Sequence, residues 1–407
     1  MSALFLILQS SLWVAGGLLT VLVGYLVVLT FAAWWAPKVT SLPTSEPTQR
    51  FALLVPAHNE EKLLPALLAN ISQLDYPRHL FTLVVVADNC TDQTAALARA
   101  AGAIVYERVD HVQIGKGHAL QWLWAQLQAD GADFDAAVIL DADSVVSANF
   151  LRVMDAHLAQ GARVVQAHYA VLDPHRTWVM SLRAAALALV HYLRPLGRTV
   201  LGGAVGLKGN GMVFQRAILA EHHWSASVTE DIEYHMSLVL AGERVVFAPD
   251  ATVWAEMPGT LQGAQTQNVR WEQGRWQLAR HYVPRLVRAA ITRKVPPPAR
   301  YLLFDSIMEH LIPPFSVLLG LTLLYWACAW LPVLVSGSTS LLRLATLLVL
   351  GQLVYILGGL ILARTPMRTF CALAYAPVFI VWKLRLLLHM TTNVEKQGWV
   401  RTARDGA

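Results

Sequence analysis

Three short polar motifs hold the residue types from which a chemistry can be read. Asp141-Ala142-Asp143 follows the apolar run Val138-Ile139-Leu140 and sets two carboxylates at the end of a predicted strand. Hard oxygen donors in so open a position suit Mg2+ or Mn2+ shared with a diphosphate better than a cage built wholly of protein. Asp-x-Asp also caps ordinary turns, and it is the placement after a buried strand that favours the cation. Thr229-Glu230-Asp231 opens a predicted helix running to about Leu240. Thr229 is a plain cap there, with Glu230 and Asp231 in the first turn where the helix dipole favours them. A carboxylate so placed serves as a general base only when an acceptor hydroxyl lies within hydrogen-bond reach. Gln267-Asn268-Val269-Arg270-Trp271 sets a guanidinium beside an indole, one suited to a phosphate and the other to a sugar ring. Arg275 and Trp276, on the same predicted helix, are expected to anchor at a membrane interface instead. Together the motifs could move a sugar off a nucleotide.

Two further segments close predicted strands. Pro56, Ala57, Asn59 and Glu60 follow the first and Asp88 ends the second, where polar groups could grip a base and ribose. Helix capping by Asn59 and Asp92 is the plainer reading of the same residues. Gly115-Lys116-Gly117 presents a cation on a mobile turn, without the further Gly and Ser/Thr pattern of a P-loop.

The elements that must position these groups alternate. Phe51–Val55, Phe81–Ala87, Ala103–Tyr106 and Ala136–Leu140 are short apolar runs, and Glu60–Leu74, Asp92–Ala101 and Lys116–Ala129 between them carry helical periodicity. Repeated βαβ units predict a parallel sheet with helices on both faces and ligands beyond the strands' C-terminal ends, where each polar motif of this half falls.

On either side of residues 51–283 the chain turns apolar. Over 407 residues, 55% are hydrophobic and 14% charged, against about a quarter charged in soluble domains; part of the chain therefore belongs in lipid. The net charge of +5 comes with no basic-aromatic run of the kind nucleic acid requires, so contact with anionic lipid headgroups explains it better. Cys90, Cys328 and Cys371 form neither a disulfide framework nor a zinc site. Residues 1–38 read as an uncleaved transmembrane anchor and 39–50 as a linker; 284–311 read as an amphipathic interface region. Residues 312–335 and 341–363 are long enough to span; 369–390, broken by Pro377, read as an interface or re-entrant helix, and 391–407 as a basic cytoplasmic tail. The positive-inside rule places the catalytic part in the cytoplasm, at the inner membrane.

With Asp88, Asp141-x-Asp143, Thr229-Glu230-Asp231 and Gln267-x-x-Arg270-Trp271 in this order, the chain resembles the membrane-bound family 2 glycosyltransferases. That group includes cellulose, hyaluronan and poly-N-acetylglucosamine synthases and ceramide glucosyltransferases. The resemblance covers Phe51 to Tyr282 and implies an α/β GT-A (Rossmann-like) fold, a UDP-sugar donor and a divalent metal, Mg2+ or Mn2+. It implies that Asp88 contacts the uracil, and that Lys116 and Asp141 hold the nucleotide with Pro56, Ala57, Asn59, Glu60 and Gln267. Asp143 would bind metal, Asp231 beside Glu230 would be the base, Arg270 would hold the diphosphate, and Trp271 would stack on the acceptor sugar. Gly209-Asn210-Gly211 resembles the family's small-residue stretch beside the acceptor. Trp399, Thr402 and Arg404 are loosely similar to a gating loop.

The implied reaction is inverting transfer to a glycan or lipid-linked acceptor, with exopolysaccharide synthesis slightly favoured. Such synthesis would need a homo-oligomer or export partner, since the expected spans are few. Single-sugar transfer to a membrane lipid is the alternative. A non-catalytic scaffold or nucleotide sensor would have no reason to keep Asp143, Asp231 and Arg270 together.

Overall fold

The structure is a computed structural model describing residues 3–37, 46–222, 224, 230–292 and 296–392. After the helix α1 (Ala3–Trp34), the chain builds β1 (Phe51–Ala57), α2 (Leu64–Ile71), β2 (Phe81–Asp88), α3 (Thr94–Ala100), β3 (Ile104–Arg108), α4 (Lys116–Ala129) and β4 (Ala136–Ile139). These strands pair parallel in the order β3-β2-β1-β4. The side chains of β1, β2 and β4 are largely buried on both faces, as continuous apolar runs require, while the edge strand β3 stays mostly open.

The sheet then departs from the expected parallel pattern. It continues through β5 (Ser144–Val146), α5 (Phe150–Ala159), β6 (Val164–Val171), α6 (Trp178–Leu187), α7 (Arg194–Leu201), β7 (Met212–Gln215), α8 (Arg216–Glu221), α9 (Glu230–Ala241) and β8 (Val245–Ala255). The full order is β3-β2-β1-β4-β7-β6-β8-β5, with β7 antiparallel to both neighbours, β6 and β8 parallel, and β5 antiparallel to β8. The reversal at β7 brings the loop before it, residues 202–211, to the same sheet edge as the turn after β4, because Gly211 N–H donates to Ile139 O at 3.0 Å.

Next come α10 (Leu261–Thr292), α11 (Pro297–Leu311), α12 (Phe315–Cys328), α13 (Trp330–Ser336), α14 (Ser340–Leu362), α15 (Met367–Ala372) and α16 (Ala376–Thr392). The boundary expected at residue 283 falls inside α10, which runs through Pro284. Among the described residues, four stretches are long and apolar enough to cross a membrane: Phe5–Trp34, Phe315–Ser336, Ser340–Leu362 and Met367–Leu387. The last was expected to be too short because of Pro377, but Pro377 occupies the first turn of α16, where a missing N–H costs little.

The spans pack through apolar side chains, among them Leu12, Leu19, Leu26, Leu318, Leu341 and Leu348. Thr322 and Gln352 are buried there: Gln352 Nε2 donates to Thr322 Oγ1 at 2.8 Å, while Gln352 Oε1 has no hydrogen-bond partner among the described residues. Helix α1 is also fastened to the catalytic part. Tyr25 Oη donates to Asp305 Oδ1 at 2.5 Å, Asp305 pairs with Arg198 at 2.7 Å, and a Cβ at Gly197 would collide with the Leu29 carbonyl.

Candidate active site

The loops after β1 and β2 are laced together. Asn59, at φ 54°, accepts the Thr91 N–H at 2.8 Å through Oδ1, and Glu60 N–H donates to Thr94 Oγ1 at 2.8 Å. Asn59 therefore joins two loops and caps no helix, since α2 begins only at Leu64. Asp92 accepts from Thr94 N–H at 3.0 Å and Glu61 N–H at 3.1 Å. Burial pushes its carboxyl up, but these donors outweigh it and hold the pKa below the ordinary value. The Ala57 carbonyl, after Pro56, faces Cys90 Sγ at 3.4 Å.

Asp88 is buried and paired at 2.7 Å with Arg108, its register partner on β3. The other arm of Arg108 reaches Asp110 Oδ2 and the Gln113 carbonyl, each at 2.9 Å, fixing the loop that leads to Lys116. Sequence reasoning passed over Arg108. The available signal was a charged residue ending a strand beside Asp88.

Lys116 is the first residue of α4, entered through Gly115 at φ 123°, a conformation suited to glycine. Its Nζ pairs with Asp141 Oδ1 at 2.5 Å and donates to the Gly209 carbonyl. Burial would lower its pKa, but Asp141 and Glu230 raise it, so the ammonium stays charged. Gly209, at φ 77°, lies beside Asp231: a Cβ there would stand 3.4 Å from Asp231 Oδ2.

Asn210, expected at the acceptor, is fully buried, and its side chain serves a different purpose. Oδ1 accepts from Asp141 N–H at 3.2 Å and Nδ2 donates to Ser144 Oγ at 2.7 Å, bracketing the acidic turn. Gln166 on β6 supports it, donating to the Asn210 carbonyl at 2.9 Å and accepting from Lys208 N–H at 2.9 Å. Gly211, at φ 65°, leaves no room for a Cβ, which would meet Val253 Cγ1 at 2.6 Å.

Asp143 is 8% exposed, and Asp141 keeps about a third of its side chain open. Carboxylate oxygens at this turn are of the kind that a hard divalent cation takes, and Lys116 already pairs with Asp141. Glu221, His222 and Glu243 also cluster, but Arg163 bridges the two carboxylates, making this a salt-bridge group.

Glu230 and Asp231 begin α9, while Thr229 lies outside the described residues, as do Trp399, Thr402 and Arg404. Burial raises both carboxyls, Glu230 to about 7 with the help of Asp231; Lys116 and Lys208 pull Asp231 back down.

Helix α10 packs along α9 and carries Gln267, Arg270 and Trp271. Gln267 Oε1 is buried without a hydrogen-bond partner, Arg270 is half-buried, and Trp271 is 39% exposed. Arg275 does not follow the expected interfacial role: it donates to the Ile312 carbonyl at 2.8 Å and lies 3.8 Å from Glu272. Trp276, 56% exposed, keeps that role open. On α16, Lys383 donates to Asn268 Oδ1 at 2.8 Å and pairs with Glu272 at 3.1 Å.

A family model described as "Glycosyltransferase like family 2" matches residues 47–274. The chain is 27% identical over 249 residues to the beta-monoglucosyldiacylglycerol synthase of Synechocystis sp., covering 59% of this chain and 51% of that protein. It is 26% identical over 234 residues to the poly-beta-1,6-N-acetyl-D-glucosamine synthase of Staphylococcus aureus, covering 54% and 53% respectively. The chain thus spans about half the length of the curated relatives it matches. Among solved structures, the mannosyltransferase PcManGT of Pyrobaculum calidifontis, in complex with GDP-Man and Mn2+, shares the fold. Its TM-score is 0.51 at 20% identity, covering 87% of this chain and 99% of that one.

Proposed function

The chain belongs to glycosyltransferase family 2 and has the GT-A fold; from that premise we propose that it transfers one sugar from a UDP-sugar to a lipid acceptor at the membrane surface, with inversion. The observation that carries this reading is Lys116, which ties Asp141 to the Gly209 carbonyl beside Asp231. It links the Asp141–Asp143 turn, the proposed cation site, to a buried carboxylate.

In the proposed reaction Asp231 takes the proton of the acceptor hydroxyl. The oxygen then attacks the anomeric carbon from the face opposite the nucleotide, and the bond to the diphosphate breaks with its electron pair leaving on UDP. Arg270 and Lys116 meet the growing negative charge, the kind of fixed electrostatic stabilisation that lowers such barriers most. Asp143, with Asp141 beside it, would hold Mg2+ or Mn2+, which when bound neutralises the departing diphosphate. The Asp88–Arg108 pair and the laced loops after β1 and β2 would shape the nucleoside pocket, and Trp271 would stack on the acceptor.

The membrane half favours one acceptor over the other. A translocated glycan needs a polar path, whereas among the described residues the spans meet mostly through apolar side chains, with polar contacts such as Thr322–Gln352 and Trp326–Thr346 between them. This turns the slight preference for exopolysaccharide toward a lipid acceptor, as in the name of the cyanobacterial relative. Polymer synthesis, with a partner forming the export path, is the second reading, favoured by the staphylococcal relative. The proposed setting is the inner membrane with the catalytic domain cytoplasmic. Purified protein given radiolabelled UDP-sugars and membrane lipid should yield one glycolipid; a ladder or high polymer would reverse the choice.

A further inference from the structure

Arg183 on α6 is 8% exposed, and no carboxylate among the described residues pairs with it. Its Nη1 meets Met257 Sδ at 3.5 Å, and its guanidinium stands 5.6 Å from the ring centre of Trp271. A buried cation without a counter-ion is costly. It stays charged near neutrality nonetheless, because burial pulls its pKa only down to about 10.

Its neighbours add to the imbalance. Lys383 and Arg275 share the single carboxylate of Glu272. Arg194 bonds only a phenol, Tyr355 Oη at 2.7 Å. Lys383 lies within electrostatic reach of Arg183 and Arg275, and Arg275 within reach of Arg194. Among the described residues these four cations have one directly paired acid, Glu272; Glu309 also acts on Arg275 from the adjoining group, where it is paired with Arg198 and Lys208. Gln267 Oε1, His191 Nδ1 and Arg194 Nη2 are also buried without hydrogen-bond partners. A neutral sugar or diacylglycerol would leave this positive charge uncompensated.

The location points to lipid. Trp178, at the start of α6, stacks on Tyr375 at 5.1 Å just before α16. Val378, Val381 and Leu384 on α16 are 54%, 49% and 38% exposed, an apolar stripe along which acyl chains can lie. Helix α6 carries both Trp178, which meets the segment just before α16, and Arg183, which meets Trp271, so it links the membrane-facing part to that contact. Guanidinium groups bind phosphate through charge-assisted hydrogen bonds.

We propose that Arg183 and Trp271 form a subsite for a phosphate-bearing lipid headgroup, so that the enzyme glycosylates a hydroxylated anionic lipid in preference to a neutral one. The inference rests on the lipid-acceptor reading above. The donor's own diphosphate is the competing use of Arg183.

The test uses the full chain in phosphatidylcholine mixed micelles with a radiolabelled UDP-sugar. Acceptors are phosphatidylglycerol, diacylglycerol and soluble sn-glycerol 3-phosphate, with UDP affinity measured in parallel. Phosphatidylglycerol should be favoured in kcat/KM by at least about tenfold, the scale of one charge-assisted contact. Arg183→Met should raise its KM roughly 10- to 100-fold without changing UDP affinity, and Arg183→Lys should recover part of the loss. Equal losses on phosphatidylglycerol and diacylglycerol would reduce Arg183 to a support for Trp271 and overturn the proposal. So would a lost UDP affinity, no preference for phosphatidylglycerol, or glycerol phosphate serving as well as the lipid. Polymer without glycolipid would instead remove the lipid-acceptor reading itself.

Discussion

Lys383 Nζ lies 3.1 Å from a carboxylate oxygen of Glu272, so the last apolar helix is bolted to the helix that carries Arg270 and Trp271. Both side chains are nearly buried, and removing one partner of such a pair strands the other charge. Lys383→Ala should cost roughly 3 kcal/mol of stability and depress transfer. The Lys383→Glu, Glu272→Lys exchange should restore much of both. Thermal unfolding in detergent and initial rates check this, and an exchange no better than either single change would refute the pairing.

Asp231→Asn keeps the shape of the side chain and removes its basicity. Transfer should fall by about 10^2- to 10^4-fold, the range of a lost general base, while UDP binding persists. Calorimetric titration with UDP separates the two, and a parallel loss of nucleotide affinity would argue against the base role.

The acid limb of kcat/KM should lie above the ordinary carboxylate range, because burial raises Asp231 and carries Glu230 to about 7. A base works only when ionised, so activity should climb as pH rises through that limb. Lys208 favours the ionised form of Asp231. Lys208→Met should therefore shift the limb to higher pH, and a stationary limb would exclude Asp231 as its source.

Arg108→Met should release Asp88 and the loop from Asp110 to Gln113 together, since one guanidinium holds both. About tenfold weaker UDP binding, or ~1.4 kcal/mol, is expected. Unchanged affinity would move the nucleoside pocket away from β2.

Asp143→Ala should abolish the gain in UDP affinity that Mn2+ or Mg2+ confers, and EDTA should have the same effect on the unmodified protein. A metal response that survives the substitution would place the cation elsewhere.

The first half of the sheet was legible because each strand is a short apolar run bounded by a polar turn, and Lys116–Ala129 was read to both ends. The second half was not: β5 has three residues and β7 four, and β6 and β8 pair through a bulge at Ala167/His168. The motif residues could be named from their order, but not their linkage. Lys116 and Gly209 stand 93 positions apart, and nothing local announces that they bond. Arg108, Gln166, Arg183 and Lys383 were missed for a related reason. A lone polar residue in an apolar element reads as surface until its partner in another element is known. Asn210 could be named with its flanking glycines, but the sequence does not tell that its side chain turns inward to brace the acidic turn.

Tyr25 donates a hydrogen bond to Asp305, and Gly197 rests against the Leu29 carbonyl. Trimming off the first helix to gain a freely soluble enzyme would thus deprive an acid beneath the catalytic floor of its hydroxyl donor and bare a backbone seam. Detergent-free preparations should keep that helix within a lipid nanodisc.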